Sequence, residues 1–104
     1  MNLNTVSGNE IEAKILGVIP NAEVTVKNNT LHELKVGDIR IVVGSYAIEV
    51  TEIVRPKQWV ASAKVEGTEV VFTHNEQAGV TELADAFNEK LKEPVLFTIT
   101  EKTL

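Results

Sequence analysis

The segment that decides the fold is "IRIVVGSYAIEVTEIVRPKQWVASAKVEGTEVVFTH", residues 39–74. Apolar and polar side chains alternate along most of it with the period of two that is typical of half-buried strands. Gly44 and Pro56 each suit the first central position of a tight turn, and Glu66-Gly67 can supply a third turn. The segment therefore predicts an antiparallel β-meander over residues 38–74.

Two-residue turns also fix which residues face each other, because pairs are counted outward from each turn. The count gives an apolar face with these facing pairs: Val43–Tyr46, Ile41–Ile48, Ile39–Val50, Val54–Trp59, Glu52–Ala61, Val50–Ala63, Ile48–Val65, Ala63–Val70, Ala61–Phe72 and Trp59–His74. The opposite face receives a row of alternating charge, Arg40, Glu49, Lys64 and Glu69. Each such pair would stabilise the sheet by ~0.2–1 kcal/mol.

Shorter elements are predicted before the meander. Residues 22–27, "AEVTVK", alternate as a strand, 28–30 are expected to turn, and 34–38, "LKVGD", to form the turn into the meander. Residues 10–19 fit either a strand or a helical face. The spacing of Ser7 and Glu10 resembles a capping box and favours the helix.

After the meander, residues 80–92 carry one apolar helical stripe, with Thr81 as the expected N-cap and Pro94 beyond the end. Residues 95–100 alternate as a final strand. The sequence thus predicts an α+β domain in which the meander, as a small sheet or a partly open barrel, is covered on one face by a C-terminal helix. The expected core contains Ile41, Ile48, Val50, Phe72, Phe87, Leu91 and Phe97.

Length and composition restrict the function classes. The 104 residues suit a single domain, 1–104, preceded by a loose polar segment at 1–9. There is no cysteine, which excludes disulfides and thiolate chemistry. The start lacks a basic, apolar signal and no run is long enough to cross a membrane, so a cytoplasmic protein is expected. Residues 65–104 hold 3 basic and 8 acidic side chains, which disfavours nucleic acid.

Motifs for enzymatic chemistry are not found in the sequence. The glycines form no phosphate-binding loop, and the two histidines, His32 and His74, lack the spacing of a zinc site. Ser45 and Ser62 fall in an expected turn and in mid-strand, and neither is on a nucleophile elbow. We therefore expect no catalytic residues, no metal, no cofactor and no enzymatic activity.

Five residues are the candidate binding residues. Glu52 falls on the apolar face near Trp59 and His74, where it is either a rim residue facing water or part of a shallow pocket. Arg55 and Lys57 flank Pro56 beside Trp59, a combination that can contact phosphate or stack on a base. A single tryptophan is also a common core residue, so Trp59 is either core or binding anchor.

Three functions are compatible with these features. The leading one is a small non-enzymatic module that binds another protein or itself, such as an accessory subunit, an inhibitor or an assembly component, typical of phages and mobile elements. The alternative is a nucleic-acid-binding small barrel of the SH3-like or PUA-like kind, using the Arg55–Trp59 turn. The third is a ligand pocket around Glu52, Trp59 and His74.

Overall fold

The computed structural model describes residues 6–28, 30–47 and 57–103, and for residues 6–8, 57 and 103 the backbone alone. The described elements, in chain order, are α1 Val6–Val18, β1 Glu23–Lys27, β2 Leu31–Val36, β3 Ile39–Gly44, β4 Lys57–Val65, β5 Thr68–His74, α2 Gln77–Asn88 and β6 Thr98–Thr103. The six strands form one antiparallel sheet in the order β1-β2-β3-β5-β4-β6. The fold is mixed α+β with α2 packed on the sheet, which confirms the expected fold class.

Both helices cover the same face of the sheet. Ile11 and Ile15 of α1 and Phe87 of α2 belong to one buried cluster with residues of the central strands, among them Ile41 and Phe72. Phe72 stacks on Phe97 with 5.2 Å between ring centroids and meets Phe87 edge-on at 5.7 Å. The predicted burial of Ile41, Phe72, Phe87 and Phe97 is confirmed, and Leu91 packs partly buried beside them. Ile48 and Val50 lie outside the described residues.

The opposite face has a smaller apolar cluster of its own. Val42, Val60 and Val71 are buried there together with Ala47, and Leu31 packs against them. None of the described helices is long and apolar enough to cross a membrane.

The third predicted turn and its pairing are confirmed. Glu66 and Gly67 have φ of 52° and 79°, as a two-residue turn with two left-handed residues requires. The strands leave this turn in the expected register, with Ala63 facing Val70 and Trp59 facing His74. Lys64 also faces Glu69, as expected for the charge row.

The predicted hairpin at Gly44-Ser45 is wrong. β3 lies between β2 and β5, with Ile41 facing Leu34 on one side and Phe72 on the other. Both edges of β3 are therefore occupied, and its expected pairs with residues 46–50 cannot form at these positions. Residues 48–50 themselves lie outside the described residues. Gly44 has φ of 142°, a conformation that glycine tolerates but that is not the one a two-residue hairpin needs.

The predicted hairpin at Pro56-Lys57 is wrong for the same reason. β4 lies between β5 and β6, so Trp59 faces His74 on one side and Glu101 on the other. The expected pairs of Trp59 with Val54 and of Ala61 with Glu52 are thereby excluded, although residues 48–56 are outside the described part of the chain.

The predicted row of four facing charges is wrong, because Arg40 has other partners across the sheet. Arg40 shares its face with Lys64 and Glu69 but faces Lys35 and Thr73 across the neighbouring strands. Glu49 lies outside the described residues.

Segment 34–38 contains the end of a strand rather than a turn alone. Leu34 to Val36 belong to β2, and only Gly37-Asp38 connect it to β3, with Val36 facing Ile39. Of the turn expected at 28–30, residue 29 lies outside the described residues. The Asn28 side chain accepts hydrogen bonds from the backbone N–H groups of Thr30 and Leu31 at 2.9 and 3.0 Å, a bonding pattern that is typical of turns. The strand predicted at 22–27 is confirmed as β1.

The helices exist as predicted but with different ends. α1 confirms the helix at 10–19 and begins at Val6, so Ser7 lies inside it and the expected capping box is wrong. α2 begins at Gln77 with Glu76 as N-cap, so Thr81 lies inside that helix as well. α2 ends at Asn88, four residues before the predicted end, and β6 begins three residues after the predicted start of the final strand.

Candidate functional site

Trp59 and His74 come together at one end of the helix-covered face, as predicted. Trp59 lies on β4 between His74 of β5 and Glu101 of β6, and all three point to the same face. Trp59 is partly buried and packs against the main core. Its position therefore combines a packed indole with an acidic neighbour, which is unfavourable for contact with a phosphate backbone.

His74 stabilises the start of α2. Its Nδ1 accepts a hydrogen bond of 3.0 Å from the backbone N–H of Glu76, the N-cap residue. The ring also packs against Gly79 in the first turn, where a Cβ would lie 2.6 Å from the ring Cγ. Real Cβ contacts are essentially never that short, so Gly79 is required by the position of this ring. The role that the geometry supports for His74 is structural.

The other three candidate residues are only partly placed. Glu52 and Arg55 lie outside the described residues. Lys57 is the first residue of β4 and its backbone pairs with Thr103. The pocket around Glu52 and the phosphate contact by Arg55 and Lys57 stay predictions.

A polar cluster that the sequence did not reveal joins the first three strands on the face away from the helices. Glu33 accepts a hydrogen bond from Arg40 Nε at 2.8 Å and one from the Thr25 hydroxyl at 2.8 Å. Burial alone would raise the pKa of Glu33. The bonds from Arg40 and Thr25, and the charges of Arg40 and Lys35, outweigh burial and hold this pKa below its ordinary value of 4.5. A buried carboxylate is thus well satisfied here.

A second polar contact, between a buried histidine and a partly buried glutamate, lies under α1 and is poorly satisfied. His32 of β2 is fully buried, and its Nδ1 lies 3.0 Å from Oε1 of Glu12 on α1. The two atoms are close but not aligned as a hydrogen bond, and within the described residues His32 Nε2 has no partner either. The other oxygen of Glu12 lies 3.3 Å from Nζ of Lys27. A buried polar atom without a partner costs about 1–3 kcal/mol.

An open groove runs beside α1, and we call it the α1 groove. It has a volume of about 930 Å³ and is bounded by α1, by the β4–β5 turn and by residues 90–95. Its apolar part is formed by Ala13, Val65, Leu91, Pro94 and Val95. Its charged part has three lysines and three glutamates: Lys14, Lys90, Lys92, Glu10, Glu66 and Glu93.

One wall of the α1 groove is held by a pair of side-chain hydrogen bonds. Asn88, the last residue of α2, donates to the carbonyl of Val95 and accepts from its N–H, each at 2.9 Å. This pairing returns the chain to the end of α2 and fixes both ends of the 89–95 connection. The groove wall is therefore a constrained loop.

The described residues contain no group of three or more histidine, aspartate or glutamate side chains that could hold a metal ion. Comparisons of the chain with protein-family models, with curated proteins and with solved structures found no match.

Proposed function

We propose that this chain is a small non-enzymatic module that binds another protein through the α1 groove. The observation that carries the proposal is the groove itself, which is lined by apolar side chains from three segments together with charged side chains of both signs. Apolar centres with polar rims are the usual anatomy of protein–protein interfaces. Within the described residues, the groove combines these features on a scale that a protein segment can fill.

The charges favour a protein over a nucleic acid. The groove residues include as many glutamates as lysines, three of each, so they supply no excess of positive charge for phosphates. Lys14, Lys90 and Lys92 form no ion pair within 4 Å with any described residue, so they are available for carboxylates of a partner. The fitting partner presents apolar side chains to the apolar part of the groove and charged side chains of both signs to its lysines and glutamates.

A bulky charge placed in the groove tests this proposal. Ala13 is exposed on α1 and lines the groove, and Ala13→Arg would add a long charged side chain there without removing a buried one. Ala78 is also exposed, but on α2 and outside the groove residues, so Ala78→Arg is the matched control. Its position in the first turn of α2 should cost no more than about 1 kcal/mol.

The experiment has two steps. Tagged wild-type protein and both variants are used to capture proteins from native lysate, and a candidate partner must be retained by wild type and Ala78→Arg but lost with Ala13→Arg. The partner is then purified and titrated by calorimetry. We expect Ala13→Arg to weaken binding at least tenfold and Ala78→Arg to change it less than twofold. Equal capture by all three proteins would show that the groove is not the binding surface.

A further inference from the structure

The least satisfied contact in the described part of the chain is the one between α1 and β2. Three buried side-chain polar atoms there lack a hydrogen-bond partner, Oε1 of Glu12 and both ring nitrogens of His32. The described residues have no other buried side-chain atoms in this state. Hydration of these atoms would therefore favour separation of α1 from the sheet.

Intrinsic helix stability adds little to hold α1 in place. It has 13 residues, a length at which an isolated helix is marginal in water. Gly17 lies next to its last residue, and a Cβ there would meet nothing within 4 Å, so no close contact requires the glycine. Glycine in a helix is less stable than alanine at the same place. α1 therefore depends on its docked side chains, mainly Ile11 and Ile15.

The centre of the sheet is held very differently. β5 is paired on both sides, by β3 and by β4, and its residues Val70, Val71 and Phe72 are fully buried. Amides in such a strand are released only when most of the molecule unfolds. The two regions should thus open with different free energies.

We infer that α1 is a releasable element, which undocks and unfolds as a unit while the sheet and α2 stay folded. Release exposes Ile11 and Ile15 to water, which opposes it, and hydrates His32 and Glu12, which favours it. Because α1 supplies one wall of the α1 groove, release also removes that surface. This last consequence rests on the proposed function, whereas the release itself does not.

Hydrogen exchange measured amide by amide on the full chain tests the inference. In wild-type protein the amides from Ile11 to Val18 should show protection at least tenfold lower than those of Val70, Val71 and Phe72. Equal protection in the two regions would overturn the inference, because α1 would then open only by global unfolding.

A substitution far from α1 provides a second test of the inference by hydrogen exchange. Thr73 is buried on the face away from α1, and Thr73→Ser removes one methyl group while keeping the hydroxyl. This change should lower the protection of the β5 amides about fivefold and leave that of α1 unchanged, because the opened state keeps the Thr73 contacts. An equal fall in both regions would refute a separate opening of α1. His32→Leu should instead raise protection in both regions, and a fall in α1 protection would also count against the inference.

Discussion

The contact between His74 and Gly79 leads to a prediction in which one substitution changes sign with its background. Alanine at a helical position is about 1 kcal/mol more favourable than glycine. In the wild-type protein, however, the new Cβ would lie 2.6 Å from the His74 ring and force it to move. Such overpacking costs about 1–3 kcal/mol. The displaced ring also loses its hydrogen bond from Glu76 N–H, about 1 kcal/mol more.

The lost hydrogen bond and the gain in helix propensity offset each other, so Gly79→Ala should destabilise the wild-type protein by about 1–3 kcal/mol. With His74→Ala already present nothing obstructs the Cβ, and the same change should stabilise the protein by about 1 kcal/mol. The four proteins are compared by urea unfolding monitored by circular dichroism. An effect of Gly79→Ala that agrees within about 0.5 kcal/mol in the two backgrounds would refute the argument, since independent sites are additive to that extent. It would also return His74 to the residues available for binding.

Three further predictions concern Phe72, Glu33 and Trp59. Phe72→Ala should lower the free energy of unfolding by about 3–5 kcal/mol, and a loss below about 1 kcal/mol in urea titration would mean that the helices do not cover this face. Glu33→Gln should cost about 1–3 kcal/mol at pH 7. Because Arg40 and Thr25 hold the folded-state pKa of Glu33 below 4.5, this difference should be complete above pH 4.5 and shrink as the pH falls through the folded value. The prediction would be contradicted if the loss of stability caused by Glu33→Gln did not depend on pH. It would also be contradicted if Glu69→Gln, at a glutamate that faces Lys64 across the strands, cost as much stability. Trp59→Ala should cost about 3 kcal/mol and leave partner binding within twofold, whereas unchanged stability with tenfold weaker binding would support Trp59 as an anchor.

What could be predicted from sequence was local. The Glu66-Gly67 turn connects two strands that must pair with each other, so counting from it gave Ala63 facing Val70 and every other pair of that hairpin. The helical stripe of α2 was also visible, because burial of Val80, Leu83 and Phe87 follows directly from a period of 3.6.

The pairing of β3 was wrong although the described core residues of the expected apolar face, such as Ile41 and Phe72, were assigned to the correct side of the sheet. A period of two decides which face a side chain occupies and carries no information about the neighbouring strand. Ile41 points to the core whether it faces residue 48 or, as the structure has it, Leu34 and Phe72. The alternation of apolar and polar residues in the expected meander was therefore compatible with several strand orders. Only the tight turn at Gly37-Asp38 indicated that β2 precedes β3 and pairs with it.

The α1 groove could not be predicted from the sequence, because its residues come from three distant segments. A weaker signal existed for the contact under α1. In "LHELKV", residues 31–36, His32 takes the same alternate position as Leu34 and Val36, so a polar side chain in the core could have been inferred. Its partner Glu12 lies twenty positions earlier, on a helix whose placement over β2 no local pattern specifies.

β2 thus carries two adjacent polar residues whose circumstances are opposite. Glu33 points away from the helices and is bonded by Arg40 and Thr25, which connects β2 to both of its neighbouring strands. His32 points toward α1, and within the described residues its ring nitrogens find no hydrogen bond. The polar contacts therefore strengthen the sheet and weaken the attachment of α1. Buried polar groups lower the free energy of unfolding most when their hydrogen-bond partners are missing. We therefore expect the sheet, which Glu33 helps to connect, to be the stable part, and α1, which packs over His32, to be the labile part.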